Sequence, residues 1–157
     1  MNEEGSLATD FELLDAKGNK VRLSSFRGKI VVLYFYPKAL SSGCTKEADD
    51  FRDHYAELKK LNAEVIGVSG DKVETLKKFA EKESLPFILL SDLNFEVSNN
   101  YGVYKEKSMY GRKYMGIERS TFIIDEKGII RKAFRKVKVP NHVNEVIEVI
   151  KHLGVEK

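Results

Sequence analysis

At 157 residues the chain is long enough for one domain (residues 1–157) with a sizeable core and too short for two ordinary ones. A composition of 42% hydrophobic and 32% charged residues is that of a soluble globular protein, and an excess of only three basic residues, without a long basic block, calls for neither nucleic acid nor a membrane surface as partner. No apolar run exceeds strand length, Met1-Asn2-Glu3-Glu4-Gly5 lacks an apolar signal region, and a single cysteine cannot form an internal disulfide; together these point to a cytoplasmic protein without membrane spans.

In chain order, Phe11-Glu12-Leu13-Leu14 and Lys20-Val21-Arg22-Leu23 alternate around the turn residues Asp15-Ala16-Lys17-Gly18-Asn19, which predicts an N-terminal β-hairpin. Residues 24–28 suit a short helical turn. Lys29-Ile30-Val31-Val32-Leu33-Tyr34-Phe35 is a near-continuous apolar run, the pattern of a central strand buried on both faces. From Gly43 to about Leu61 the period changes: Cys44, Ala48, Phe51, Tyr55, Leu58 and Leu61 recur every three or four residues, on one helical face. Residues 63–69 read as a second buried strand, 72–84 as a helix stopped by Pro86, and 87–90 as a third strand. A short helix over 94–101, strands at 120–125 and 129–134 around Glu126-Lys127-Gly128, and a last helix after Asn141 complete the pattern. Strand–helix alternation predicts a parallel middle, and the hairpins add antiparallel strands, giving an α/β mixed central sheet with helices on both faces.

The one cysteine, Cys44, falls where the central strand gives way to a helix. A thiol in the first turn faces free backbone N–H groups and the positive end of the helix dipole, and both favour the reactive thiolate. Placement alone leaves two readings open, because Cys44 also lies on the inward helical face and a lone cysteine is often a small buried hydrophobe. Dithiol exchange through Cys-x-x-Cys is excluded, because Ser41-Ser42-Gly43-Cys44 has serine at the first position. A Cys–His hydrolase lacks a base: His54 is about three turns along the helix, and His142 and His152 read as surface residues. No metal-like ligand spacing surrounds the thiol. Peroxide reduction needs neither a second cysteine nor a histidine. It needs a thiolate and donors that stabilise negative charge as the O–O bond breaks; Gly43 and Cys44 offer N–H groups and Ser41 a hydroxyl.

The segment Tyr36-Pro37-Lys38-Ala39-Leu40-Ser41-Ser42-Gly43-Cys44-Thr45-Lys46-Glu47 resembles the peroxiredoxin active-site motif Pro-x-x-x-Thr/Ser-x-x-Cys, and its Tyr-Pro-Lys and Gly-Cys-Thr-x-Glu flanks are similar to the bacterioferritin comigratory protein (PrxQ) branch. Phe51-Arg52-Asp53, Gly67-Val68-Ser69, Leu85-Pro86-Phe87, Tyr110-Gly111-Arg112 and residues 116–125 match that branch in the right order. The resemblance implies a thioredoxin-like fold and an antioxidant, cofactor-free peroxidase acting on hydrogen peroxide or organic hydroperoxides through a cysteine sulfenic acid. Cys44 would be the nucleophile, Ser41 would hydrogen-bond peroxide and thiolate, Pro37 would shield the pocket, Arg119 would lower the thiol pKa and orient the peroxide, and Glu47 would position the arginine. Read without the resemblance, Arg119 is a solvated strand-end charge, Glu47 a carboxylate complementing the helix N-terminus, and Pro37 loop punctuation.

Four features depart from the pattern, the largest at Asp49. Ser41 replaces the usual threonine, Ser42 the usual proline, and Ala39-Leu40 a polar pair. Asp49 stands where many relatives carry a resolving cysteine, so the chain resembles the one-cysteine type and its sulfenic acid needs an outside thiol: thioredoxin, glutaredoxin or a small thiol. The resemblance leaves monomer and homodimer open. A thiol redox sensor that forms a mixed disulfide with a client, without turnover, is the alternative.

Overall fold

The computed structural model describes residues 2–155. Its main sheet has seven strands: β1 (Glu12–Asp15), β2 (Lys20–Arg22), β3 (Ile30–Phe35), β4 (Ala63–Ser69), β5 (Ile88–Ser91), β8 (Ser120–Ile124) and β9 (Ile130–Phe134), in the order β2-β1-β5-β4-β3-β8-β9. β3, β4 and β5 run parallel, and antiparallel strands flank them on both sides. The N-terminal hairpin forms with Leu13 opposite Val21. This is the mixed, thioredoxin-like sheet expected from the alternation of elements.

All six residues of β3 are buried, because both sheet faces are covered. Val32, Tyr34 and the following Tyr36 face a core built with α1 (Ser42–Asp53), α2 (Tyr55–Lys60), α3 (Val73–Glu83) and α5 (His142–Val155). Val31, Leu33 and Phe35 face a second core with Tyr101, Val103 and Ile117, beside α4 (Glu96–Asn100). The two-residue alternation of a strand thus divides one apolar run between two cores. Tyr34 stacks on Phe51 at 4.7 Å between ring centroids, and its ring occupies the space over Gly67, its partner on β4, where a Cβ would come within 2.9 Å.

Three features differ from the sequence expectations. The helix expected over 43–61 is two helices, broken at His54. The Asp50 carbonyl accepts the His54 N–H at 3.2 Å and also lies 2.8 Å from His54 Nδ1, so the imidazole competes for a helical acceptor; the inward pattern resumes at Leu58. His142, expected on the surface, is 2% exposed. It packs edge-on to Phe134 and Phe51, with Nε2 hydrogen-bonded to Thr121 Oγ1 at 2.8 Å. Burial, with a smaller contribution from the Arg119 charge, lowers its pKa to about 4. The third difference is a separate two-stranded ribbon, β6 (Tyr104–Met109) and β7 (Arg112–Ile117), in a stretch for which the sequence predicted no element. Only Ile117 among its strand residues is fully buried, so no apolar alternation announces it. Its turn, Tyr110-Gly111, has positive φ at both residues (52° and 78°), as a tight hairpin requires. No helix among the described residues is long and apolar enough to cross a membrane.

Candidate active site

The loop from Tyr36 to Ser41 carries the chain from the carboxyl end of β3 into α1, where open α/β sheets commonly bind ligands. It is tied down from the next strand. Asp71, just past β4, accepts the Ala39 N–H at 2.8 Å and the Ser69 hydroxyl at 2.7 Å, while its own carbonyl accepts from Ser91 Oγ at 2.6 Å. Leu40 is left-handed, with φ 70°, a conformation costing a non-glycine residue roughly 1–2 kcal/mol. Asp71 on one side and α1 on the other hold it there. Leu40 enters from the sequence only as a departure from the family motif and Asp71 not at all; the one available signal for Asp71 is Ser69-Gly70-Asp71, a turn pattern at a strand end.

α1 takes its first intrahelical hydrogen bond at Thr45 N–H to the Ser41 carbonyl, 2.9 Å, so the N–H groups of Ser42, Gly43 and Cys44 precede the ladder. Cys44 lies in this first turn and is 2% exposed. Its sulfur is not sealed in hydrocarbon alone, because Arg119 Nη2 donates to Sγ at 3.4 Å. Arg119 arrives between β7 and β8: Ser120 pairs with Phe35 at the end of β3, which sets the arginine beside the start of α1. Its backbone carbonyl accepts from Val137 N–H at 2.9 Å, fixing the strand end.

The same guanidinium donates from Nη1 to Glu47 Oε1 at 2.6 Å. The Glu47 side chain is 1% exposed, and its Oε2 has no hydrogen-bond partner among the described residues. Burial outweighs the pull of Arg119 and raises the Glu47 pKa to about 7. Burial acts to lower the Arg119 pKa, yet the Glu47 and Cys44 charges and their hydrogen bonds more than offset it, so the guanidinium stays charged. The first turn of α1 contains no acidic residue, so Glu47 faces the arginine rather than the helix end. Gly43 leaves the guanidinium room: a Cβ there would lie 3.3 Å from Arg119 Nη2.

The structure therefore gathers Cys44, Arg119, Glu47 and Gly43. Ser41 is next to them, at the N-cap, but its hydroxyl donates to the Lys38 carbonyl at 2.7 Å and not to sulfur. Pro37 is half-buried in the same loop. Asp49 lies farther along α1, half-buried, where it accepts from Arg52 Nη1 at 3.2 Å. That Arg52 nitrogen also donates to the Glu83 carbonyl at 2.7 Å, fastening α1 to the end of α3. Burial and the neighbouring Glu83 raise the Asp49 pKa despite Arg52.

Comparison with known proteins bears on this site. Residues 5–133 match the model of the AhpC/TSA family. The chain is 48% identical over 152 residues to Peroxiredoxin Bcp of Bacillus subtilis, covering 97% of each, and 46% identical over 147 residues to Peroxiredoxin Bcp of Escherichia coli K12, covering 94% of each. Among solved structures, Peroxiredoxin Q of Xanthomonas campestris superposes with a TM-score of 0.86 at 38% identity, over 90% of both chains. A bacterioferritin comigratory protein from that organism, studied as trapped complexes for its alkyl peroxide reduction activity, superposes equally well at 37% identity, again over 90% of both. With one cysteine in the sequence and an arginine hydrogen-bonded to its sulfur, the chain belongs to the AhpC/TSA family, as a peroxiredoxin of the Bcp (PrxQ) branch and of one-cysteine type.

Proposed function

We propose that the chain reduces hydrogen peroxide and organic hydroperoxides at Cys44 and is recycled by a thiol from another molecule. The observation that carries this reading is the 3.4 Å contact between Arg119 Nη2 and Cys44 Sγ at the start of α1. The Cys44 thiolate attacks one peroxide oxygen, a sulfur–oxygen bond forms, and the O–O bond breaks. The other oxygen leaves as hydroxide or alkoxide and takes a proton, giving water or alcohol and Cys44 sulfenic acid. Arg119 and the N–H groups of Gly43 and Cys44 stabilise the negative charge that moves from sulfur to the leaving oxygen. Ser41, whose proton goes to the Lys38 carbonyl, keeps oxygen lone pairs free to accept from the peroxide O–H. Pro37 limits water at the pocket, and Glu47 sets the direction of Arg119 as a positioning residue.

The sequence contains no second thiol, so the sulfenic acid meets one from outside. An external thiolate displaces hydroxide from the Cys44 sulfur, and a second thiol resolves the mixed disulfide. Multiple turnover is the test: with dithiothreitol present, the chain should consume many equivalents of peroxide, and Cys44→Ser should consume none above background. A single stoichiometric burst, with no turnover at any thiol concentration, would favour a redox sensor instead.

A further inference from the structure

The β6–β7 ribbon is not needed to build the sheet, yet it grows from the segment that delivers Arg119. Over residues 104–117 it carries Lys105, Lys107, Arg112 and Lys113 against the single carboxylate of Glu106. That difference equals the whole formal net charge of the chain, +3, so the rest of the sequence is balanced. Cross-strand partners share a face, and the register sets Lys105, Lys107, Met109, Arg112 and Tyr114 on one side of the ribbon; Lys105 pairs with Glu118 at 3.3 Å, just beyond the ribbon, so Lys107 and Arg112 carry the unmatched charge of this face. Exposed apolar surface is concentrated here too: Met109 is 56%, Tyr110 99%, Tyr114 43% and Met115 51% exposed.

This surface is continuous with the reactive site. Lys107 donates to the Ile117 carbonyl, two residues before Arg119. Burial and then the Arg119 charge lower the Lys107 pKa, while Glu118 and Cys44 act the other way, so the same side chain belongs to the ribbon face and to the electrostatic surroundings of the sulfur. Lys and Arg on open strand edges guard against strand pairing. That account does not explain tyrosine and methionine exposed among them, the side chains enriched at protein interfaces.

We propose that the cationic, Tyr- and Met-bearing face of the β6–β7 ribbon is the docking surface for a protein dithiol reductant whose own docking face is acidic with an apolar centre. The inference rests on the peroxidase reading. Charge selects the occupant: a second copy of this chain meeting the same face would set like charges together, whereas an acidic partner is attracted and steered. Burial of the target gives docking a purpose. Cys44 is 2% exposed, so a bulky thiol reaches it only when the first turn of α1 opens, and a partner held nearby is present at high effective concentration when it does. The partner's first thiolate then attacks the Cys44 sulfur, an S–S bond forms and hydroxide leaves to become water. Its second thiolate attacks its own sulfur in that bond, Cys44 departs as thiolate, and the partner is oxidised by two electrons to a disulfide.

The test separates the two steps. The chain is oxidised with one equivalent of hydrogen peroxide, and Cys44 is followed by mass spectrometry. It is then mixed with a reduced thioredoxin of net negative charge or with dithiothreitol. Arg112→Glu and Tyr114→Ser, two surface variants whose melting is checked first, should each slow recovery by thioredoxin about fivefold or more while recovery by dithiothreitol and oxidation by peroxide stay unchanged. Raising the salt concentration should slow the thioredoxin step alone. Equal recovery by thioredoxin in the native chain and both variants overturns the docking surface and leaves the peroxidase reading standing. Failure of peroxide to oxidise Cys44 in the native chain overturns both.

Discussion

Two buried ionisable side chains that feel the Arg119 charge titrate in opposite senses, and the signs are testable. Glu47 is raised from an ordinary 4.5 to about 7 by burial, so the folded state binds its proton more tightly than the unfolded chain does. Its contribution to stability is complete below pH 4.5 and is lost as the pH climbs toward 7. His142 is lowered from 6.5 to about 4, again mainly by burial, so its contribution is complete above pH 6.5 and is lost as the pH falls toward 4. Between pH 4.5 and 6.5 the two slopes oppose each other. Glu47→Gln should leave stability rising with pH across that window, and His142→Gln should leave it falling, each by up to about 3 kcal/mol relative to the native profile. Urea unfolding at several pH values measures this; three parallel profiles would refute the assignment. The inward face of α1 is legible from residue spacing, Glu47 enters as a site residue only through the family motif, and His142 reads in the sequence as a surface residue, which its burial corrects. Histidine carries no apolar signal, and its burial depends on Thr121, Phe134 and Phe51, which no local pattern brings together.

At the scale of elements, the strands and most helices follow from periodicity, because β3, β4 and α3 obey one repeat along their length. The exceptions are local competitions. His54 breaks α1 from α2 by sharing the Asp50 carbonyl, and the ribbon lacks apolar alternation because little of it faces a core. The loop before Cys44 depends on one distant carboxylate, Asp71. Asp71→Ala would leave the Ala39 N–H and the Ser69 hydroxyl without this acceptor, at a cost of about 1–3 kcal/mol, and would release the strained Leu40. The expected result is a Tm lower by several degrees and a slower reaction of Cys44 with peroxide, with Asp71→Asn recovering much of both through its remaining side-chain oxygen. Unchanged melting and reactivity in Asp71→Ala would show that the loop holds its shape without this tie.

At the scale of the whole molecule, the site is a product of topology. Cys44 and Arg119 are 75 positions apart, and they meet because β8 returns antiparallel beside β3 with Ser120 opposite Phe35. Sequence spacing shows the helix start and its thiol but cannot show which of 27 basic residues reaches it. Only the likeness of residues 116–125 to a known motif singled out Arg119, and the fold supplies the physical reason. The most direct measurement is therefore the rate at which one equivalent of hydrogen peroxide adds a single oxygen to Cys44, read by mass spectrometry in the native chain and in Arg119→Ala. A sulfur held in readiness by this guanidinium predicts loss of the arginine to slow oxidation by roughly tenfold or more at neutral pH. Equal rates in the two proteins would contradict it.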